Sequence, residues 1–384
     1  YYYKLGLTIP PEFKPPIRNP ALTLALVQQL PKCDIDCRFI GSVPTPLLYQ
    51  FYTELPEKSR KKLPLFNNSN EIQKYLLSDE NSDYGKGGKY LSMKLLQNER
   101  NIRMALHGIF DEAYADNVVY MELTISPIYH LKHGLTMDQF VEIAIDEAMK
   151  FDGKIEIRYV INANINQLNP VQIHQLAELA VKYRSSEKYP KGVVGFATTT
   201  KEITESTMQF YEKTFNYLRE EFMPVSMFAG ENELNSVPCS LVRGHARRIS
   251  GGFKLSEKES VLNDITSHNI AVLTRISKRF NKASSGWVRT PIRFFYDLGV
   301  RVAFCSIHHS LSGLSRSQQL MQMAELSGFD TFSILQILDN SFSAMFLHYD
   351  EVQKFREEFW QKSKAILEDC GFTRFFNYSF FIDQ

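Results

Sequence analysis

Long apolar runs, an excess of one charge sign, paired cysteines and glycine-rich phosphate loops are all missing from this chain, and each absence excludes something. No stretch stays apolar for the roughly 18 residues that a bilayer-spanning helix needs, so no membrane span is expected. Lys plus Arg number 44 against 43 Asp plus Glu. That balance argues against a nucleic-acid surface or an anionic membrane as the main partner. The five cysteines, Cys33, Cys37, Cys239, Cys305 and Cys370, are odd in number and form no CxxC. They read as buried, reduced thiols in a reducing compartment. No GxGxxG and no P-loop follows the first strand-like segment, which argues against an open dinucleotide-binding sheet.

What is present is a core. Hydrophobic residues make up 44 % and charged residues 23 % of the 384, as in a globular domain. Eight short β-branched runs recur along the chain: CDIDCRFI (33–40), VVYMELTI (118–125), IEIRYVI (155–161), VVGFA (193–197), VSMF (225–228), ARRIS (246–250), IAVLTRI (270–276) and RVAFCS (301–306). Between them lie stretches of helical period, among them NIRMALHGIFDEAYA, MDQFVEIAIDEAMKF, NPVQIHQLAELAVKY and ITESTMQFYEKTFNYLREEF. Alternating strands and helices imply a parallel sheet with right-handed crossovers. Eight such units close into a (β/α)8 TIM-type barrel.

Three segments stand outside that unit. Residues 1–29, with five prolines in the first 20, read as an extended N-terminal arm, and the barrel is expected over 30–367. Residues 368–384 form an aromatic C-terminal tail after the amphipathic stretch VQKFREEFWQKSKAILED, whose Val352, Phe355, Phe359, Trp360 and Ile366 share a stripe. A polar, turn-rich insertion occupies 56–90. The start at YYYKLG fits an imported, processed protein, so the mitochondrion is expected, with the cytoplasm as the alternative.

In such a barrel, chemistry sits at the carboxyl ends of the strands. Strand one places Cys33, Ile35, Cys37 and Phe39 on one face and Asp34, Asp36 and Arg38 on the other, at period two. Strand five ends in FAGE (Phe228–Glu231), strand six in RISGG (Arg248–Gly252) and strand eight in CSIHHS (Cys305–Ser310). His308 and His309, with Cys305 or Cys37 as nucleophile, could form a thiol–imidazole pair, which requires a thiolate, a base and an orienting group. The simpler reading is one surface ring and one packed ring. His130 and His133 are spaced to meet on a helical turn, but no third ligand lies nearby. Asp36 with His308 is a further possible metal pair.

At these same points the chain resembles the adenosine deaminase family of the amidohydrolase superfamily, including adenosine monophosphate deaminases, from about Leu30 to Leu367. DNVVYMELTISP resembles the second-strand segment of the family. GVVGFATTTKE resembles VVGFDLAGDE, VSMFAGE resembles VHAGE, and RRISGGF resembles RIGHG. GVRVAFCSIHH resembles GVxVxINSDDP, and ILDNSFSAMFL resembles ARNSFxASFL. The resemblance implies a barrel enzyme with one zinc, held by the two His of an HxH on strand one, the His of HAGE and the first Asp of DDP. The matching positions are Asp36, Arg38, Phe228 and Ile307. The hydroxide-orienting His corresponds to Gly251 and the second Asp to His308. The second-strand Arg corresponds to Thr124, and the substrate-facing Asp and Gly correspond to Ala197 and Thr200. Glu231 alone matches a catalytic group, the proton shuttle, and is expected to survive as a partner for Arg38.

Of the four ligand positions only Asp36 offers a zinc donor, and a permanent cation at Arg38 repels metal. The expectation is therefore a pseudoenzyme without cofactor or metal. It would serve as a structural or scaffolding subunit that contacts other protein subunits through the N-terminal arm and the aromatic tail. The alternatives are a non-catalytic sensor of purine nucleosides or nucleotides, and a deaminase with altered metal chemistry.

Overall fold

Each of the eight expected runs forms a strand, and each strand pairs in parallel with the next in chain order. They are β1 (Lys32–Arg38), β2 (Val118–Ile125), β3 (Glu156–Asn164), β4 (Val193–Thr199), β5 (Val225–Ala229), β6 (Ala246–Gly251), β7 (Ala271–Thr274) and β8 (Arg301–Phe304). The computed structural model describes residues 21–78, 86–274 and 292–370. Ile307 closes the ring, because its N–H donates to the Asp36 carbonyl at 2.9 Å and its carbonyl accepts from Arg38 N–H at 2.7 Å. The architecture is the (β/α)8 barrel that the alternation implied.

Local sequence explains where the helices start. Asn98, Thr136, Asn169 and Asp330 each accept a backbone N–H three residues on, the hydrogen bond of an N-cap. The last helix, Tyr349–Asp369, buries Val352, Phe359 and Trp360 and packs Phe355 and Ile366 against the core. Two expectations are corrected. The period in ITESTMQFYEKTFNYLREEF yields two helices, Glu205–Met208 and Glu212–Glu220, not one. The end of the supposed extended arm is helical over Leu24–Gln29, because Thr23 caps it and Leu26 and Val27 are buried against the barrel. Residues 1–20 of the arm and 371–384 of the tail lie outside the described residues. The described part of the 56–90 insertion contains helices at Glu57–Arg60 and Ser69–Ser78 and the start of Lys86–Leu95. Cys33, Cys37, Cys239 and Cys305 are buried free thiols, whereas Cys370 is exposed.

Strand β1 also departs from strict alternation. Its register against β2 shifts between Asp34 and Cys37, a bulge that turns the side chains on either side of it to different faces. Asp34 and Cys37 consequently share a partner, Arg316, at 2.7 Å from the Asp34 carboxylate and 3.5 Å from the Cys37 sulfur. Asp36 and Arg38 point to the mouth.

The floor of the barrel is ionic. Glu122 on β2 and Arg248 on β6 are almost wholly buried and pair at 2.5 and 2.9 Å. Glu122 also accepts from Tyr120 Oη at 3.1 Å and Phe346 N–H at 2.8 Å, while Arg248 donates to the carbonyls of Ala344 and Ile35. The Phe346 ring stacks 3.4 Å from the guanidinium and lies so close to Gly195 that any Cβ there would collide. Each nitrogen of Arg248 and each carboxylate oxygen of Glu122 has a partner, so the pair tolerates burial, but removing one partner strands the other charge. Glu122→Ala or Arg248→Ala is expected to cost about 3–5 kcal/mol, read as a lowered urea midpoint at unchanged slope.

Candidate functional site

The mouth centres on one buried carboxylate. Asp36 Oδ1 accepts from Arg38 Nε at 3.2 Å and Thr124 Oγ1 at 3.2 Å, and Oδ2 accepts from Arg38 Nη2 at 3.2 Å and Ser250 Oγ at 3.4 Å. The ion pair is largely out of water, with side chains 12 % and 8 % exposed. Arg38 thus lays its planar fork on the carboxylate, the strong bidentate form of this contact. The partner that Arg38 takes on its own strand is Asp36, which is two residues away and faces the same way once the bulge has turned it inward.

The structure brings Phe228 and Ile307 to the strand ends where the family resemblance placed ligands, and both are buried. Neither side chain carries a donor atom for a metal. Ile307 sits at φ 54°, a left-handed conformation costly for a β-branched residue. It is held there by the two hydrogen bonds that close the barrel. Thr200, at the position resembling the family's glycine, is likewise left-handed at φ 74°, and its hydroxyl bonds the Asn164 side chain. Gly251, at the position of the orienting His, has φ 114°, a backbone that L side chains rarely adopt. Ala197 packs with Val160 and Val194 below the mouth.

Glu231 is buried, and its Oε2 would lie only 3.2 Å from a Cβ on Gly251. The loop that carries it is fastened by Glu202, just after β4. The Glu202 carboxylate accepts the N–H groups of Glu231, Asn232 and Glu233 at 2.8, 3.0 and 3.0 Å and the Ser236 hydroxyl at 3.1 Å. The available signal was its place at the end of GVVGFATTTKE.

The other sequence candidates are dispersed. The His308 ring packs on the backbone of Gly41, leaving no room for a Cβ. His309 reaches outward, 3.3 Å from Glu112. Burial pushes the Cys37 thiol up to about 11, so it holds its proton at neutral pH and is no nucleophile. His130 and His133 do not share a helical turn: His130 is buried and His133 is exposed after the short 3-10 turn Pro127–Tyr129. Among the described residues, no three His, Cys, Asp or Glu side chains are placed to hold a metal ion. No helix among them is long and apolar enough to cross a membrane.

A closed ring of eight parallel strands in chain order, each followed by helix, defines a (β/α)8 barrel. The chain belongs to the adenosine deaminase family, whose model matches residues 31–362. It is 26 % identical over 381 residues to a probable adenosine deaminase of Dictyostelium discoideum, covering 92 % of this chain and 48 % of that protein. It therefore spans about half the length of that relative. It is 21 % identical to an adenosine deaminase of Clostridium acetobutylicum, over 83 % of this chain and 93 % of the other. In structure it is similar to the N6-mAMP deaminase of Arabidopsis, with a TM-score of 0.73 at 16 % identity over 88 % of this chain and 99 % of that one. The adenine deaminase of Arthrobacter aurescens gives 0.73 at 13 % identity, over 88 % and 99 % of the respective chains. At these identities the likeness shows the fold.

His130 generates a pH prediction. Its Nδ1 lies 2.7 Å from the Leu96 carbonyl, and its ring packs between Phe39 and Phe140 at centroid distances of 5.5 and 4.9 Å. Burial lowers its pKa to about 4 from 6.5. Between those values the unfolded chain binds a proton that the folded chain refuses, so stability falls as pH drops through this window. The loss reaches on the order of 2–3 kcal/mol. Urea midpoints measured from pH 7 to 4 are expected to decline less steeply in His130→Asn, which keeps the donor to Leu96.

Proposed function

We propose that this chain is a catalytically inactive member of the adenosine deaminase family, a pseudoenzyme that serves as a structural subunit of a larger protein assembly. The observation that carries the reading is the Arg38 guanidinium laid across Asp36. Of the four side chains at the family's zinc positions, only Asp36 can donate to a metal, and both its oxygens are already engaged. Zinc does not fit this set. Hydrolytic deamination needs a hydroxide at neutral pH, which a metal supplies by lowering the pKa of water from about 15.7 toward about 7. Glu231 can hold or pass a proton but cannot generate that nucleophile. The relatives are named as deaminases, and this chain differs from the family pattern at the residues that do the chemistry.

The part of the arm at 1–29 that lies ahead of the helix Leu24–Gln29, itself packed on the barrel, and the aromatic tail at 368–384 are the proposed contacts with partner subunits, since aromatic residues with interspersed Arg are enriched in interface cores. The mitochondrion, or failing that the cytoplasm, is the proposed compartment. One observation favours a second reading, non-catalytic binding of a nucleoside or nucleotide. Asn162, near the carboxyl end of β3, is a buried polar side chain that donates to Ser126 Oγ at 2.9 Å and whose Oδ1 has no protein hydrogen-bond partner.

Purified chain supplied with zinc is expected to release no ammonia from adenosine or adenosine monophosphate above the blank. Endogenous protein in a gentle extract is expected to migrate far above its 44.4 kDa chain mass with fixed partners. Deamination abolished by Glu231→Gln would overturn the pseudoenzyme reading. Migration as a monomer, with a thermal shift on adding adenosine, inosine or their monophosphates, would replace the subunit reading by the sensor.

A further inference from the structure

We propose that Arg38 is a tethered cation that replaces a metal ion structurally, and that the Asp36–Arg38 pair with Thr124 and Ser250 is the cross-link holding the barrel mouth together. The inference deepens the loss of the metal and is indifferent to whether the chain is a subunit or a sensor.

A carboxylate as buried as Asp36 requires a positive partner, because desolvation of a lone charge far exceeds what hydroxyl donors return. A divalent cation is one solution, and an arginine on the same strand is another. Arg38 lies two residues along β1, and the bulge turns both side chains into the lumen. Its fork takes one N–H to each carboxylate oxygen, which fixes the carboxylate plane. The remaining lone pairs then receive Thr124 from the neighbouring strand β2 and Ser250 from β6. In the strand order, β7 and β8 separate β6 from β1, so the Ser250 bond spans the lumen. The backbone of the same two residues, Asp36 C=O and Arg38 N–H, takes both closing bonds to Ile307 after β8. One side-chain pair therefore touches β1, β2 and β6 while its own backbone binds the end of β8. The tie between strands is made by the Asp36 carboxylate, which a metal ion would otherwise neutralise, and the guanidinium supplies that neutralising charge from the same strand. A merely superficial pair would contribute little, but this pair is mostly buried.

The test is a double-mutant cycle on the full chain, read as Tm. Arg38→Ala is expected to lower Tm by roughly 5 °C or more, because it leaves the Asp36 charge uncompensated. Millimolar methylguanidinium should return part of that loss to Arg38→Ala while leaving the wild type unmoved. Asp36→Asn combined with Arg38→Ala should be more stable than Arg38→Ala alone, since no buried charge remains, and Asp36→Asn by itself completes the cycle. A double variant less stable than either single one, or losses that simply add, would overturn the proposal. Equilibrium dialysis of the wild-type chain against zinc gives a readout that does not depend on variant folding. No zinc retained supports the tethered cation, and one zinc per chain refutes it.

Discussion

Two hydrogen bonds made by Ile307 decide whether this chain has a barrel at all. Seven strand pairs follow from one another in chain order, but a ring exists only when the end of β8 finds the start of the sheet, and that junction rests on Ile307 between Asp36 and Arg38. The cost is visible in the backbone, because a β-branched residue stands at φ 54°. The surroundings over-determine it. Below the junction, Asp34 accepts from the Ser306 N–H and hydroxyl at 3.0 and 2.6 Å and from Arg316, so the segment entering Ile307 is held from outside the barrel. Above it, the Asp36 carboxylate gathers its donors from inside.

The charged residues of β1 thus divide their labour by face. Lys32 donates to the carbonyls of Gln28, Leu30 and Asp116, and burial lowers its pKa to about 8. Asp34 serves the outer shell, and Asp36 with Arg38 serves the mouth. Together with Glu122 and Arg248 on the floor, they give the barrel two ionic layers. Such layers specify register, because a slipped strand would leave a charge stranded in a low-dielectric interior. Among the described residues the eight strands of the family's barrel are all present.

Much of this was legible in the chain. All eight strands were visible as β-branched runs, since a strand covered on both faces must be apolar along its length. The helix caps were legible as Asn, Asp or Thr at the right offset. The order of six motif-like segments located the mouth at the carboxyl ends of the strands. The charge inside VVYMELTI and the arginines of ARRIS were the signal for the floor pair. Nothing local, however, says that Glu122 and Arg248 meet across 126 residues of chain. The helical period over 203–222 did not reveal a break at 209–211, because period alone does not report where backbone hydrogen bonding is interrupted.

By itself, then, the sequence determined the alternation of elements, the parallel closed sheet and the absence of zinc-type side chains at Arg38, Phe228 and Ile307. These depend on residue identity and short-range period, which a linear chain carries in full. Only the tertiary structure decided who partners whom: Arg38 with Asp36, Glu202 under the loop of Glu231, Asp34 outward and Asp36 inward. The last of these turns on a single extra residue in β1 relative to β2. A bulge is set by how two strands compete for hydrogen bonds, and that competition exists only once both strands are in place.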